Sequence, residues 1–140
     1  MKRSASAVWK GGLQDGQGTV STESGILSGA PYNFKMRFEN EKGTNPEELV
    51  AAAHAACFSM ALSKILADAG MTPESIDTKA TVSLDKGEAG FSVTSSHLDT
   101  TVKVPNADKA AFDEAVQKAK AGCPISKLLN ATITLDAKLT

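Results

Sequence analysis

Between residues 49 and 62 the chain reads Leu-Val-Ala-Ala-Ala-His-Ala-Ala-Cys-Phe-Ser-Met-Ala-Leu, an apolar segment built largely from small side chains. No Gly or Pro interrupts it, and alanine, leucine and methionine are good helix formers. Just ahead, Thr44-Asn45-Pro46-Glu47-Glu48 supplies a start. Asn45 can cap, Pro46 suits the first helical position, and Glu48 completes a capping-box-like spacing. The pattern predicts a helix to about Ala69, ended by Gly70, since glycine takes the left-handed conformation at no steric cost. A helix apolar on nearly all faces must be packed closely on every side. The run is too short to cross a bilayer, so it reads as a buried central helix.

A chain of 140 residues is able to bury one core but not two, so one domain over residues 1–140 is expected. Short β-like runs at 5–9, 18–21 and 34–38, punctuated by glycines and Pro31, predict a small meander. Beyond the helix, residues 75–84 alternate, 85–90 supply a turn, and a second strand runs to Val104. Along that strand the parity shifts from Phe91 and Val93 to Leu98, Thr100, Val102 and Val104, which predicts a bulge or bend near His97. Pro105-Asn106 opens a helix over 107–121 with Phe112, Ala115, Val116 and Ala119 on one face, ended by Gly122. A short helix over 124–129 and a strand over 130–139 complete the chain. Strands in blocks, rather than in strict β-α-β alternation, indicate an α+β fold with antiparallel strands packed around the long buried helix. A monomer of this size leaves part of such a helix wet, and a second copy covers it, so a homodimer is expected.

The 15 basic and 16 acidic residues nearly cancel, and neither sign forms a block. This gives no footprint for nucleic acid or an anionic membrane, and leaves a small molecule as the expected partner. The N-terminus has a basic start with no apolar run behind it, so the expected location is the cytoplasm. Two cysteines in a reducing compartment are structural thiols, metal ligands or redox groups.

Cys57 lies inside the apolar helix, where it reads equally as a small buried hydrophobe or a functional thiol. Cys123, in Gly122-Cys123-Pro124-Ile125-Ser126, stands at a helix-to-helix junction where a positive helix end favours a thiolate. By environment alone it is the better nucleophile. Metal binding needs three or four ligands, and no C-x-x-C or H-x-x-x-H spacing occurs, which leaves only the weak His54–Cys57 spacing for zinc. His54, three residues before Cys57, reaches the same face and is either its partner or a polar filler, and no oxyanion-hole motif supports a Cys-His hydrolase. Only two arginines occur, Arg3 and Arg37. Arg37, between Met36 and Phe38 in a predicted strand, either needs a carboxylate partner or faces water from an edge strand. Glu47 and Glu48 are explained as capping and dipole-complementing residues.

Residues 41–49 (Glu-Lys-Gly-Thr-Asn-Pro-Glu-Glu-Leu), 52–62 (Ala-Ala-His-Ala-Ala-Cys-Phe-Ser-Met-Ala-Leu) and 118–126 (Lys-Ala-Lys-Ala-Gly-Cys-Pro-Ile-Ser) together closely resemble the OsmC/Ohr family of thiol peroxidases, over essentially the whole chain from Trp9 to Asp136. The resemblance implies an intertwined homodimer with two sites at the subunit interface. It implies peroxidase activity on organic hydroperoxides and hydrogen peroxide with no metal or organic cofactor, and recycling by an external dithiol, of lipoyl type in the Ohr branch. It further implies Cys57 as the attacking thiol, Cys123 as the resolving thiol, and Arg37 with Glu47 as the activating pair. Lys10-Gly11-Gly12-Leu13 lacks the arginine of the Ohr branch, whereas Met36-Arg37-Phe38 carries it as the OsmC branch does. Glu47 precedes Cys57 by ten residues, about 15 Å along an unbroken helix and on a different face, so the shared site implies that Glu47 serves the other subunit's thiol. The alternative from another class is a non-catalytic dimer that binds apolar ligands and whose cysteines merely pack.

Overall fold

The computed structural model covers residues 1–140. The chain divides into two compact units, Met1–Leu49 and Val50–Thr140.

In the first unit, β1 (Ala5–Lys10), β2 (Gln17–Thr22) and β3 (Ala30–Tyr32) form an antiparallel meander in that order. Trp9 pairs with Gly18, which pairs with Tyr32 on its other side, and the two rings lie 5.4 Å apart. A Cβ on Gly18 would stand 2.5 Å from the Tyr32 ring and 2.7 Å from that of Trp9, so only glycine lets the rings close over the strand. The strand expected over 34–38 is instead a short helix, α1 (Phe34–Phe38). Asn33 decides this: its Oδ1 accepts the Met36 N–H at 2.8 Å, and the turn it caps brings Phe34 and Phe38 together at 4.8 Å as an i,i+4 pair. The alternating Phe34, Met36 and Phe38 mimic a strand pattern, but the cap and the aromatic pair favour the helix.

The long helix α2 (Pro46–Asp68) starts in the first unit and continues through the second. Asn45 caps it as expected, accepting the Glu48 N–H at 2.8 Å, and Gly70 follows its end with φ 77°. Its buried residues are His54, Phe58, Leu62 and Leu66, one every four residues. This is one face rather than the whole circumference. Ala52, Ala53, Ala56 and Met60 are exposed, Met60 at 77%. By length and composition alone this 23-residue helix, with an 18-residue stretch of mean hydropathy 1.6, is long enough to span a bilayer, which the 49–62 run is not. The difference comes from its continuation through Ile65 and Leu66, and that end lies in the core of the second unit.

That core unites Phe58, Leu62 and Leu66 of α2 with Leu98 and Val102 of the sheet and with Phe112, Ala115, Val116 and Ala119 of α3 (Lys109–Gly122). The sheet has the order β4 (Ser75–Gly87), β5 (Gly90–Lys103), β6 (Thr132–Leu139). On β5 the buried positions are Ser96, Leu98, Thr100 and Val102, the period of two that covers one face. The bulge lies at Thr94, three residues before the expected position. Ser83 pairs with Ser95 and Leu84 with Val93, leaving Thr94 as the extra residue. Residues 94–97 are all polar, so their parity is not readable from hydrophobicity. The last strand departs from antiparallel pairing: β6 runs parallel to β5, from Ser95↔Thr132 to Val102↔Leu139. A parallel neighbour requires a crossover, and α3 followed by the short helix α4 (Pro124–Leu128) provides it.

Candidate active site

Cys57 lies mid-way along α2, and Cys123 both ends α3 and begins α4. The Cys123 N–H donates to the Ala119 carbonyl at 2.9 Å, closing α3, while its own carbonyl accepts from Lys127, opening α4, with Pro124 at the first helical position. This double capping fixes the thiol's direction. Both thiols are free, Cys123 is fully buried, Cys57 is half-buried, and the Cys123 Sγ–H donates to Cys57 Sγ across 2.7 Å.

Burial raises the Cys57 thiol above its usual value, and the hydrogen bond and proximity of Cys123 raise it further. The backbone N–H of Ile125 acts in the opposite sense. The expectation from sequence was that the N-terminus of α4 would favour Cys123, yet Cys123 makes no side-chain capping bond and the Ile125 N–H addresses the sulfur of Cys57. The one backbone donor at this junction thus supports the half-buried thiol.

His54 is fully buried one turn before Cys57 but does not pair with it. Its Nδ1 lies 2.7 Å from the Ser96 hydroxyl on β5 and its Nε2 lies 2.8 Å from the Ser126 hydroxyl on α4. Burial pushes its pKa below the usual 6.5, so it is a neutral imidazole with both nitrogens satisfied. Neither Ser96 nor Ser126 was singled out from the sequence. The available signal was the mirrored spacing of His54 three residues before Cys57 and Ser126 three after Cys123.

In the first unit, Arg37 on α1 and Glu47 at the start of α2 form a two-pronged ion pair. Nε donates to Oε2 at 3.1 Å and the terminal nitrogen Nη2 to Oε1 at 2.8 Å. Arg37 has its carboxylate although it lies on a helix rather than a strand, and its guanidinium also sits 5.3 Å from the centre of the Phe38 ring. Arg37 borders a cavity of about 280 Å³ lined by Trp9, Leu13, Tyr32 and Phe34. The arrangement holds a planar cation rigidly against an aromatic hollow.

Two free thiols in contact on an α+β frame have the geometry that a cysteine-based redox centre requires. The OsmC-like protein family profile matches residues 39–138. The chain is 62% identical over 133 residues to peroxiredoxin OsmC of Escherichia coli, covering 95% of this chain and 93% of that protein. It is 36% identical to the organic hydroperoxide resistance protein OhrA of Bacillus subtilis, covering 79% and 75%. The crystal structure of OhrB of the same organism superposes with a TM-score of 0.69 at 26% identity, covering 98% of both chains. An OsmC-like protein of Vibrio cholerae shares the fold, with a TM-score of 0.77 at 19% identity. The chain belongs to the OsmC-like family.

Proposed function

We propose that this chain is a two-cysteine peroxidase for organic hydroperoxides and hydrogen peroxide, in which Cys57 attacks and Cys123 resolves. The carrying observation is the 2.7 Å approach of the two free thiols in a chain 62% identical to a peroxiredoxin. The Cys57 thiolate attacks the terminal oxygen of ROOH; the O–O bond breaks, and the departing RO⁻ takes a proton to leave as the alcohol. Cys57 is then a sulfenic acid. Cys123 Sγ bonds to Cys57 Sγ, the S–O bond breaks, and the oxygen leaves as water with the Cys123 proton. An external dithiol, of lipoyl type, reopens the disulfide by two exchanges and is itself oxidised. No step needs a metal or an organic cofactor.

Arg37 supplies the cation that stabilises the thiolate and Glu47 orients it, a reading supported by their bidentate geometry. The aromatic hollow beside Arg37 suits the organic group of a hydroperoxide. A second copy of the chain covers the exposed Ala53, Ala56 and Met60 face of α2, giving a homodimer that acts in the cytoplasm as one domain per chain. The unbroken course of α2 from Pro46 to Asp68 supports Glu47 acting on the Cys57 of the other subunit. The non-catalytic reading is not favoured, since the relatives above are peroxidases and resistance proteins by name.

Cys57→Ser is expected to abolish peroxide reduction, and Cys123→Ser to allow one turnover and then stop as sulfenic acid. Rapid-mixing kinetics with mass spectrometry of Cys57 reads both. A Cys123→Ser variant that fails even the first turnover, beside a Cys57→Ser variant that achieves it, reverses the two roles.

A further inference from the structure

Besides the Ile125 N–H that addresses the Cys57 sulfur, two side-chain contacts join α2 to α4 and its capping residue at matched spacing. Cys57 Sγ meets Cys123 Sγ at 2.7 Å, and three residues away on each element His54 Nε2 meets Ser126 Oγ at 2.8 Å. Both pairs therefore join the same two helical turns. Ser126 lies on a five-residue helix, too short to hold its position by its own backbone hydrogen bonds. His54, by contrast, is anchored from behind by Ser96 on the central strand of the sheet and is fully buried. This short, weakly self-supporting segment is tied to the sheet through the His54 imidazole, which meets Ser126 on one side and Ser96 on the other.

We infer that the His54–Ser126 hydrogen bond is a clasp that holds α4, and with it Cys123, against Cys57 for disulfide closure, so that His54 and Ser126 are positioning residues for the resolving step and not for peroxide attack. This rests on the two-cysteine peroxidase reading above. Closure needs the Cys123 sulfur in line with the Cys57 S–O bond, and a sulfenic acid that waits is open to a second peroxide, which adds an oxygen to give the sulfinic acid. The clasp shortens that wait. Sulfenic acid formation involves Cys57, the peroxide and the activating cation, whereas the side-chain hydrogen bonds of His54 and Ser126 run to each other and to Ser96, not to Cys57 or Arg37.

The test separates the steps by rapid mixing of reduced protein with one equivalent of cumene hydroperoxide. Sulfenic acid is trapped with dimedone, the disulfide is followed by mass spectrometry, and folding of each variant is checked by circular dichroism and denaturant titration. Ser126→Ala, a half-buried hydroxyl deletion, is expected to form sulfenic acid at the wild-type rate and to close the disulfide about tenfold more slowly, the size of one lost hydrogen bond. It is expected to accumulate more sulfinic acid under excess peroxide. Ser126→Thr, which keeps the hydroxyl, restores closure. Ser96→Ala removes a bond from the same imidazole on the strand side and slows closure less than Ser126→Ala does. Closure at the wild-type rate in Ser126→Ala, or equal slowing in Ser96→Ala and Ser126→Ala, overturns the clasp. A wild-type protein that forms no Cys57–Cys123 disulfide under the same conditions overturns the peroxidase reading instead, and the two failures are distinct.

Discussion

His54 makes the stability of the fold depend on pH in a window where few other groups titrate. In the unfolded chain its imidazole takes up a proton below about pH 6.5. In the folded protein burial pushes its pKa below that value, so it remains neutral where the unfolded form is charged. As pH falls below 6.5 the unfolded state therefore binds more protons, and stability is lost. If the folded imidazole stays neutral throughout, the loss between pH 7.5 and 5.5 is about 1.4 kcal/mol, which with an m-value near 2 kcal/mol/M lowers the urea midpoint by roughly 0.7 M. Glu114, whose carboxyl Lys118 holds below its usual 4.5, adds acid sensitivity only at lower pH. The assay is urea denaturation at matched protein concentration across pH 5.5–7.5, for wild type and His54→Gln. The variant should be less stable at pH 7.5 and should show a flatter pH dependence, so that the two curves converge toward pH 5.5. Curves that stay parallel over this range would mean that His54 titrates alike in both states, and would refute its burial as a neutral group.

Arg37→Lys keeps the charge but loses the two-pronged pairing with Glu47, and should raise the apparent pKa of Cys57 alkylation and lower peroxide turnover at least tenfold; an unchanged alkylation profile in Arg37→Met removes the arginine from the mechanism. Mixing inactive Glu47→Ala with inactive Cys57→Ser chains, refolding them together and assaying verified heterodimers should restore part of the activity, because one site then combines an intact Cys57 with the partner chain's intact Glu47. No recovery confines Glu47 to the site of its own chain.

What was legible in the sequence was local. Asn45, Pro46 and Gly70 bound α2 because caps and terminators act within one turn, and the buried face of α3 follows from Phe112, Ala115, Val116 and Ala119 alone. The misreading of 34–38 was also local, but there two local signals conflicted: an alternating apolar pattern against the Asn33 cap and the Phe34–Phe38 pair. The parallel placement of β6 was not legible, because its side-chain alternation is the same whichever way its neighbour runs. The same holds for His54, Ser96 and Ser126, whose contacts join segments separated by 42 and 72 positions. Ser96 is a core position disguised as a surface one: a hydroxyl inside the sheet face is tolerated because the imidazole satisfies it.

The electrostatics of Cys57 point to what its reactivity requires. A thiol held above its usual value is mostly un-ionised at neutral pH, and the thiolate is the form that attacks a peroxide. Of the influences on this thiol within the chain, burial and Cys123 favour the neutral form, and only the Ile125 N–H favours the anion. In the proposed mechanism the contact with Cys123 that suppresses ionisation is the same contact that brings the two sulfurs together for closure once Cys57 is oxidised. The same proposed mechanism keeps the two demands separate: proximity to Cys123 serves resolution, and activation falls to a cation brought to the sulfur. A guanidinium is suited to that task, since it stays charged whatever its surroundings and keeps its direction when a carboxylate grips it on one edge, as Glu47 grips Arg37. A thiol with this environment and no such cation would resolve well and attack poorly, so the ionisation of Cys57 should respond to Arg37 far more than to any residue of the Cys57–Cys123 junction.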